Sequence, residues 1–311
     1  MTRGRLQQIL VTVPRRLEPA FQTQLRTLAG QWPTSWIPMD DDRAEISLFL
    51  PARRGTTRLL RALRAYRDVL RRLALPVGPI RIQRRFIRSR DWARAWRNSF
   101  EPVEISPTLV VKPTWAKWLR RDSQTVIEID PTLAFGTGHH PTTAFCLRMV
   151  ERLARRRHPA RGDKPLAFLD CGCGSGILTI AAARLGCAPA VGFDIDRQAV
   201  RVARANAKLN GVHERTEIIC SALERFRPRG ASRPPGKGRF DLVAANLASD
   251  VLVSNARRLT RWVRPGGVLA LAGVLDRDAR KVAAVFRRLG WRRIARESCG
   301  GWTSWAMKRT P

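Results

Sequence analysis

The chain has 311 residues, and 58 Lys and Arg against 25 Asp and Glu give it a formal net charge of +33. A hydrophobic content of 44%, with 10 Trp and 11 Phe, supplies enough apolar mass for a core and excludes a chain disordered throughout. No apolar run reaches the roughly 18–20 residues a membrane helix needs, and the length suggests about two domains.

Residues 1–85 read as a βαββαβ series. Leu6–Val13 is a strand, and Arg16–Leu28 is a helix with Leu17, Phe21, Leu25 and Leu28 at helical spacing. Trp36–Pro38 and Ala44–Leu50 are strands around Asp40-Asp41-Asp42. Thr57–Leu73 is a helix with Leu59, Leu60, Leu63, Tyr66, Leu70 and Leu73 on one face, and Pro79–Arg85 closes as a strand. That order fits a small α+β ferredoxin-like domain, a scaffold that names no function. Residues 86–105 form a Trp-containing linker, in which Arg90–Phe100 spaces Trp92, Trp96 and Phe100 as one helical stripe. The stripe suits packing against a domain better than stacking on nucleic acid.

A larger domain is expected over residues 106–311, with strands and helices alternating from residue 166: Leu166–Asp170, Ile177–Leu185, Ala190–Asp194, Arg197–Leu209, Thr216–Ile219, Asp241–Ala245, Val251–Trp262, Val268–Ala272 and Asp278–Leu289. The strands Trp291–Arg296 and Trp302–Lys308 end it. The alternation implies an α/β, Rossmann-like parallel sheet with helices on both faces. Gly230–Gly238 is a loop.

The main chemical signal is Asp170-Cys171-Gly172-Cys173-Gly174-Ser175-Gly176, between an apolar strand and an apolar helix. Its glycines permit a tight turn and close approach of a ligand, and the helix presents free N–H groups. Asp194 ends the next strand, where a carboxylate can accept hydrogens from a ribose. This Gly-x-Gly-x-Gly pattern points to S-adenosylmethionine, with a nicotinamide cofactor as second choice. Cys171 and Cys173 have no second ligand pair nearby and read as packing residues, so no metal is expected. The six Cys of the chain read as reduced intracellular thiols.

Asn246 ends the fourth strand of this sheet, facing the cofactor crevice. Two readings of it stand. Its carbonyl orients an amine nucleophile, or its side chain caps the next helix. Upstream, Asp130-Pro131-Thr132-Leu133-Ala134-Phe135-Gly136-Thr137-Gly138-His139-His140-Pro141-Thr142-Thr143 opens a helix near Pro141 and places two hydroxyls at its N-terminus. His139 and His140 alone make a poor zinc site.

Asp130–Thr143, Asp170–Gly176, Asp194-Ile195-Asp196 and Ala245-Asn246-Leu247 together resemble the PrmA family, the methyltransferases of ribosomal protein L11. Asp91-Trp92-Ala93-Arg94-Ala95-Trp96, Phe100-Glu101-Pro102 and Lys112-Pro113-Thr114-Trp115 are also similar to that family. The likeness covers residues 90–311, while the first 85 match in layout only. Departures are His139 where Thr is usual, Leu247-Ala248 after Asn246, the ending Gly301-Trp302-Thr303-Ser304-Trp305, and the basicity.

The resemblance implies a substrate-recognition domain, a linker and a catalytic domain of the class I methyltransferase fold. It implies that Thr143, Gly172, Gly174, Gly176, Asp194 and Asn246 contact S-adenosylmethionine, with Asn246 catalytic. The activity it implies is N-methylation of lysine ε-amines and an N-terminal α-amine of ribosomal protein L11, in a cytoplasmic monomer. Methylation of another protein or of RNA, and a non-catalytic ribosome-binding role, are the alternatives. An RNA enzyme would carry Asn-Pro-Pro-Tyr where Asn246-Leu247-Ala248-Ser249 stands, and the intact glycines and acids argue against a decayed site.

The cations are 51 Arg and 7 Lys. Arg is the better fork for phosphate, so contact with rRNA through an Arg-rich surface is one expectation. An Arg-for-Lys bias of composition gives the same count. The charge divides almost equally at residue 121, with 25 − 9 = +16 before it and 33 − 16 = +17 after it. That even spread favours composition over a dedicated nucleic-acid arm.

Overall fold

The computed structural model describes residues 5–30, 33–36, 42–52, 54–72, 78–88, 101–130, 138, 140–156, 162–228 and 240–309. The helix expected over 90–100, the loop 230–238, residues 131–137 and His139 lie outside these. The chain divides into two units, Met1–Ser99 and Phe100–Pro311. Among the described residues no helix is long and apolar enough to cross a membrane.

The first unit runs β1 (Arg5–Pro14), α1 (Glu18–Ala29), β2 (Thr34–Trp36), β3 (Arg43–Pro51), α2 (Thr57–Arg72) and β4 (Arg81–Arg88). Its strands lie in the order β2-β3-β1-β4, every pair antiparallel. Alternation in β3 turns Ala44, Ile46, Leu48 and Leu50 inward, and Ile9, Val11 and Val13 of β1 join them. Phe21 and Leu25 of α1 and Leu59, Leu60 and Leu63 of α2 complete this core, so both helices bury their apolar stripes on one face of the sheet.

The second unit starts with a three-stranded sheet absent from the sequence reading: β5 (Val103–Ser106), β6 (Leu109–Pro113) and β7 (Thr125–Ile129), in the order β5-β6-β7. Then follow α3 (Pro141–Ala154), β8 (Phe168–Cys171), α4 (Ile177–Arg184), β9 (Ala190–Asp194), α5 (Arg197–Leu209), β10 (Thr216–Cys220) and β11 (Phe240–Asn246). The unit ends with α6 (Ser249–Ser254), α7 (Ala256–Trp262), β12 (Val263–Leu275), α8 (Ala279–Arg288), β13 (Trp291–Cys299) and β14 (Trp302–Arg309). Strands β8 to β14 form one sheet in the order β10-β9-β8-β11-β12-β14-β13.

The central strands are buried on both faces, which is why β8 and β11 read as nearly unbroken apolar runs. Alternate residues feed two cores. Phe168, Leu242, Ala244 and Ala270 meet α3, α4 and α5. Leu169, Phe193, Val243 and Leu271 meet Leu252, Leu259 and Phe286 of α6, α7 and α8.

Two expectations need correction. The sheet is mixed rather than parallel, because β14 runs antiparallel to both β12 and β13. Gly300 and Gly301, with φ of 58° and 81°, form a two-residue hairpin turn, and such a turn reverses the chain. The reversed strand then inserts between β12 and β13. The helix expected over Val251–Trp262 is two helices, divided at Asn255 with φ −108° and ψ 11°. The Asn255 amide donates to the Val251 carbonyl (3.1 Å) and its oxygen accepts from Arg258 (2.7 Å), a local side-chain competition with helical bonding.

Beneath β9, Phe193 stacks on Phe226 with ring centroids 4.2 Å apart, and Trp262 meets both edge-on. Phe193 is 2% exposed and directly precedes Asp194. Phe193→Ala should cost about 3–5 kcal/mol, read as a lowered urea midpoint by tryptophan fluorescence. A loss under about 1 kcal/mol would mean the cluster does not anchor this strand end.

Candidate active site

Strand β8 has β9 on one side and β11 on the other. In an open α/β sheet the chain leaves successive strands in opposite directions at such a point and opens a crevice beyond their carboxyl ends. Asp170, the glycine loop, Asp194 and Asn246 all lie at these ends.

The loop between β8 and α4 has positive φ at Gly172 (74°), Gly174 (53°) and Gly176 (81°). Space at Gly172 and Gly176 is also tight. A Cβ at Gly172 would stand 2.6 Å from Leu247 Cδ2, and one at Gly176 would stand 2.8 Å from the Ala203 Cβ and 3.1 Å from its Cα. The Gly172 and Cys173 N–H groups both donate to the Phe193 carbonyl at 2.9 Å, which folds the loop back over the end of β9.

Asp194 is held there by two backbone donors. Gly174 N–H reaches its Oδ2 and Asp196 N–H its Oδ1, each at 2.9 Å. Each carboxylate oxygen keeps acceptor capacity beyond one bond. The Asp196 carboxylate caps α5 by accepting from Gln198 N–H at 2.8 Å. Ile195 between them is 73% exposed, unusual for an isoleucine beside a crevice.

Asp170 is 1% exposed and accepts from the Thr179 hydroxyl of α4 at 2.9 Å. Burial pushes its carboxyl from the usual 3.8 up to about 7; the Thr179 bond opposes the rise and the Asp194 charge adds to it. Burial also raises the Cys171 and Cys173 thiols well above their usual value, in keeping with packing residues. Among the described residues no three metal-ligating side chains come together.

Asn246 ends β11 beside Cys171 and the loop. Its Nδ2 donates to the Thr143 hydroxyl at 3.4 Å, a long bond. The helix after it is capped at Ala248 with no side-chain bond, so the capping role weighed for Asn246 is not realised. Thr143 is 1% exposed in the first turn of α3. The cap of α3 is His140, whose Nδ1 lies 3.4 Å from the Thr142 N–H and 2.7 Å from the Thr142 hydroxyl. The His140 ring meets Trp302 edge-on at 4.9 Å. Burial pulls His140 from 6.5 down to about 4. It is therefore neutral at pH 7, with Nδ1 as acceptor and the proton on Nε2.

Sequence reasoning missed two residues that shape this site. Gly273 of β12 has φ 80°, and a Cβ there would stand 2.7 Å from the Leu247 carbonyl and 2.9 Å from Asn246 Oδ1. A glycine inside an apolar strand was the available signal for close backbone approach. Asn206 of α5 is 2% exposed; it donates to the Ser175 carbonyl at 2.9 Å and accepts from Asp130 N–H at 3.1 Å.

This sheet order, with one reversed strand and a glycine loop at the crevice, defines a class I methyltransferase fold. The description "Ribosomal protein L11 methyltransferase (PrmA)" belongs to a family model that matches residues 37–310. A relative of that name from Pelotomaculum thermopropionicum is 34% identical over 283 residues, 91% of this chain and 85% of the relative. One from Geobacter sp. strain M21 is 43% identical over 203 residues, and the match spans 65% of this chain and 62% of the relative's length. A crystal structure of ribosomal protein L11 methylase from Lactobacillus delbrueckii subsp. bulgaricus aligns with a TM-score of 0.58 at 26% identity, covering 68% of this chain and 100% of that one. The chain belongs to the ribosomal protein L11 methyltransferase family.

The Asp170 shift predicts a pH dependence of stability. A carboxyl whose folded pKa is raised favours the folded state while protonated, and that contribution is lost as pH rises through about 7. Stability of the native chain should fall from pH 5 to pH 8, and the fall should be smaller in Asp170→Asn. Parallel profiles for the two proteins would remove Asp170 as the cause.

Proposed function

We propose that the protein is an S-adenosylmethionine-dependent methyltransferase that N-methylates lysine ε-amines, and an N-terminal α-amine, of ribosomal protein L11. The observation that carries this reading is the Asn246 carboxamide bonded to the Thr143 hydroxyl beside the glycine loop, in a chain whose relatives bear that enzyme's name. Met1–Ser99 contains a ferredoxin-like substrate-recognition domain over residues 1–85, a reading supported by its βαββαβ succession and the order β2-β3-β1-β4. A linker over 86–105 and a catalytic domain over 106–311 follow. The enzyme works as a cytoplasmic monomer.

The residues at the crevice fit the cofactor. Asp194 offers two oxygens with acceptor capacity to a ribose diol, and exposed Ile195 offers an apolar surface to a base. Gly172 and Gly176 bring backbone close where a Cβ would intrude, Gly174 adopts a positive φ that favours glycine, and Thr143 adds a buried hydroxyl. When bound, S-adenosylmethionine supplies a methyl already attached to a sulfonium leaving group.

What the chain contributes is position. Asn246 gives its N–H to Thr143, which aims Oδ1 as the acceptor for a hydrogen of the substrate amine. Gly273 leaves room for that oxygen. The amine must arrive neutral, from a solution pKa of about 10.4, and exclusion of water disfavours the ammonium. His140 is a weak base, at about 4 with Nδ1 already engaged. The proton therefore leaves to water, and no strong general base acts.

Incubation with tritiated S-adenosylmethionine and either ribosomal proteins or rRNA tests the substrate class; label in L11 is expected, and label confined to rRNA would overturn the reading. Asn246→Ala should lower turnover at least about 100-fold while retaining measurable cofactor binding; full activity in that variant would remove its role. Asp194→Ala should weaken S-adenosylmethionine binding about tenfold or more by calorimetry, and unchanged affinity would end the ribose assignment.

A further inference from the structure

Trp302, the first residue of β14, stands at the carboxyl end of β12, where it pairs with Leu275 of β12 and Cys299 of β13. Along β14, Trp305 joins the core shared with α6, α7 and α8, and Ala306 joins the core shared with α3. Alternation therefore turns Trp302 toward α3. Its indole meets the His140 ring there edge-on, with centroids 4.9 Å apart. Trp291 and Trp305 of the same hairpin are both 3% exposed, whereas Trp302 stays partly exposed and belongs to neither core.

The strand order places this ring relative to the crevice. β8, β11, β12 and β14 are successive neighbours, so the strand of Trp302 lies two strands, about 10 Å, beyond that of Asn246. Asp194 and the glycine loop lie on the other side of Asn246, over β8 and β9. Displacement at a sulfonium carbon needs nucleophile and leaving group in line. With the cofactor over β8 and β9, the amine must enter from the side of β12 and β14. Two features keep that side open and uncharged. Ala272 and Gly273 of β12 stand opposite the single residue Ser304, a bulge of which one member has no side chain. His140, pulled down to about 4 by burial, is neutral at pH 7 and repels no cation beside Trp302.

We propose that Trp302 is the specificity-determining wall of the amine entrance: its indole receives the substrate as an alkylammonium, and holds the methylated ammonium product, by cation–π attraction. Indole is the aromatic ring that attracts such cations best. Asn246 Oδ1 accepts equally from an amine or a hydroxyl, so the preference for a cation comes from the ring. The edge-on contact fixes the plane of the indole, and the bonds from His140 Nδ1 to Thr142 fix the imidazole in turn. The ammonium gives up its proton to water between Trp302 and Asn246 and reaches Oδ1 as the neutral nucleophile. The inference rests on the reading of Asn246 as the residue that receives the amine.

Two experiments test it. In the full chain loaded with S-adenosylhomocysteine, choline serves as a probe for the methylated ammonium, and the indole N–H resonance that vanishes in Trp302→Phe identifies Trp302. Choline should shift that resonance, and its uncharged isostere, with carbon in place of nitrogen, should need at least about threefold higher concentration. No shift with choline, or equal midpoints for the two probes, would overturn the proposal. With L11 and tritiated S-adenosylmethionine, Trp302→Ala should lower kcat/KM at least about tenfold, mainly through KM, while Trp302→Phe stays within about threefold of the native chain. Cofactor affinity by calorimetry should stay within about twofold in both variants. Native kcat/KM in Trp302→Ala, equal losses in the two variants, or a parallel loss of cofactor affinity would also overturn it. A native chain that leaves L11 unlabelled would count against the proposed function instead; the choline titration, which needs neither L11 nor methyl transfer, would still decide the role of Trp302.

Discussion

The side-chain amide of Asn206 joins the two stretches of backbone on which the crevice depends. It sits on the inner face of α5, donates to the Ser175 carbonyl in the glycine loop and accepts from Asp130 N–H just after β7. One turn later Asn210 donates to the Glu128 carbonyl at 2.6 Å and accepts from its N–H at 2.9 Å. β7 is the edge of its sheet and has no strand on its outer side to satisfy these groups, and leaving buried peptide groups unpaired costs about 1–3 kcal/mol each. The two amides thus hold the small sheet β5-β6-β7 against α5 and fix where the segment from Asp130 toward Thr143 begins. Thr143 in turn meets Asn246. The placement of the carboxamide at the end of β11 is therefore set from two directions: by β8 and β12 within the sheet, and by α3 across the crevice.

The electrostatics of the crevice favour neutrality over acid–base strength. Asp170 is driven toward its protonated form by burial, His140 is held neutral, and the nearby thiols stay protonated. Asp194 lies at the more open rim, with each oxygen accepting a backbone N–H. A site with so little proton-transfer capacity suits chemistry in which the leaving group is already activated and geometry is the main requirement. The same demand on geometry accounts for Gly172, Gly176 and Gly273: a Cβ at these positions would press on the Leu247 side chain, on Ala203 of α5, and on the Leu247 backbone and Asn246 carboxamide respectively.

The parts of the structure legible in the sequence are those with short-range signals. The βαββαβ succession of the first unit, the alternation of the second, and the loop from Asp170 to Gly176 all follow from periodicity and local glycine chemistry. Asn246 and Asp194 were locatable because each ends a strand of recognisable apolar pattern. What escaped depends on pairings distant in the chain. The strands β5 to β7 are short, and β6 pairs with β5 on one side and β7 on the other. The mixed sheet arises because the hairpin Gly300-Gly301 sends β14 back between β12 and β13, a register that local propensity does not encode. Asn206 reads locally as one more polar residue on an amphipathic helix; only the arrival of Asp130 and Ser175 beside it makes its amide structural.

The excess of arginine divides along the same lines. Several guanidiniums serve the backbone: Arg54 donates to the Ala29 carbonyl at 3.0 Å, Arg204 to the Ile218 carbonyl at 3.1 and 2.6 Å, and Arg227 to the Glu224 and Phe226 carbonyls at 3.0 and 2.9 Å. Lysine, a point charge without a fork, substitutes poorly in such roles. Part of the preference for Arg over Lys is therefore structural and needs no anionic partner. Net charge cannot separate a composition bias from a binding surface, since each raises it equally. The arrangement of the cations can. A guanidinium committed to a carbonyl or carboxylate has little left for a ligand, whereas forks that share one face, keep their donors and overlie apolar side chains have both the donors and the floor that a polyanion requires.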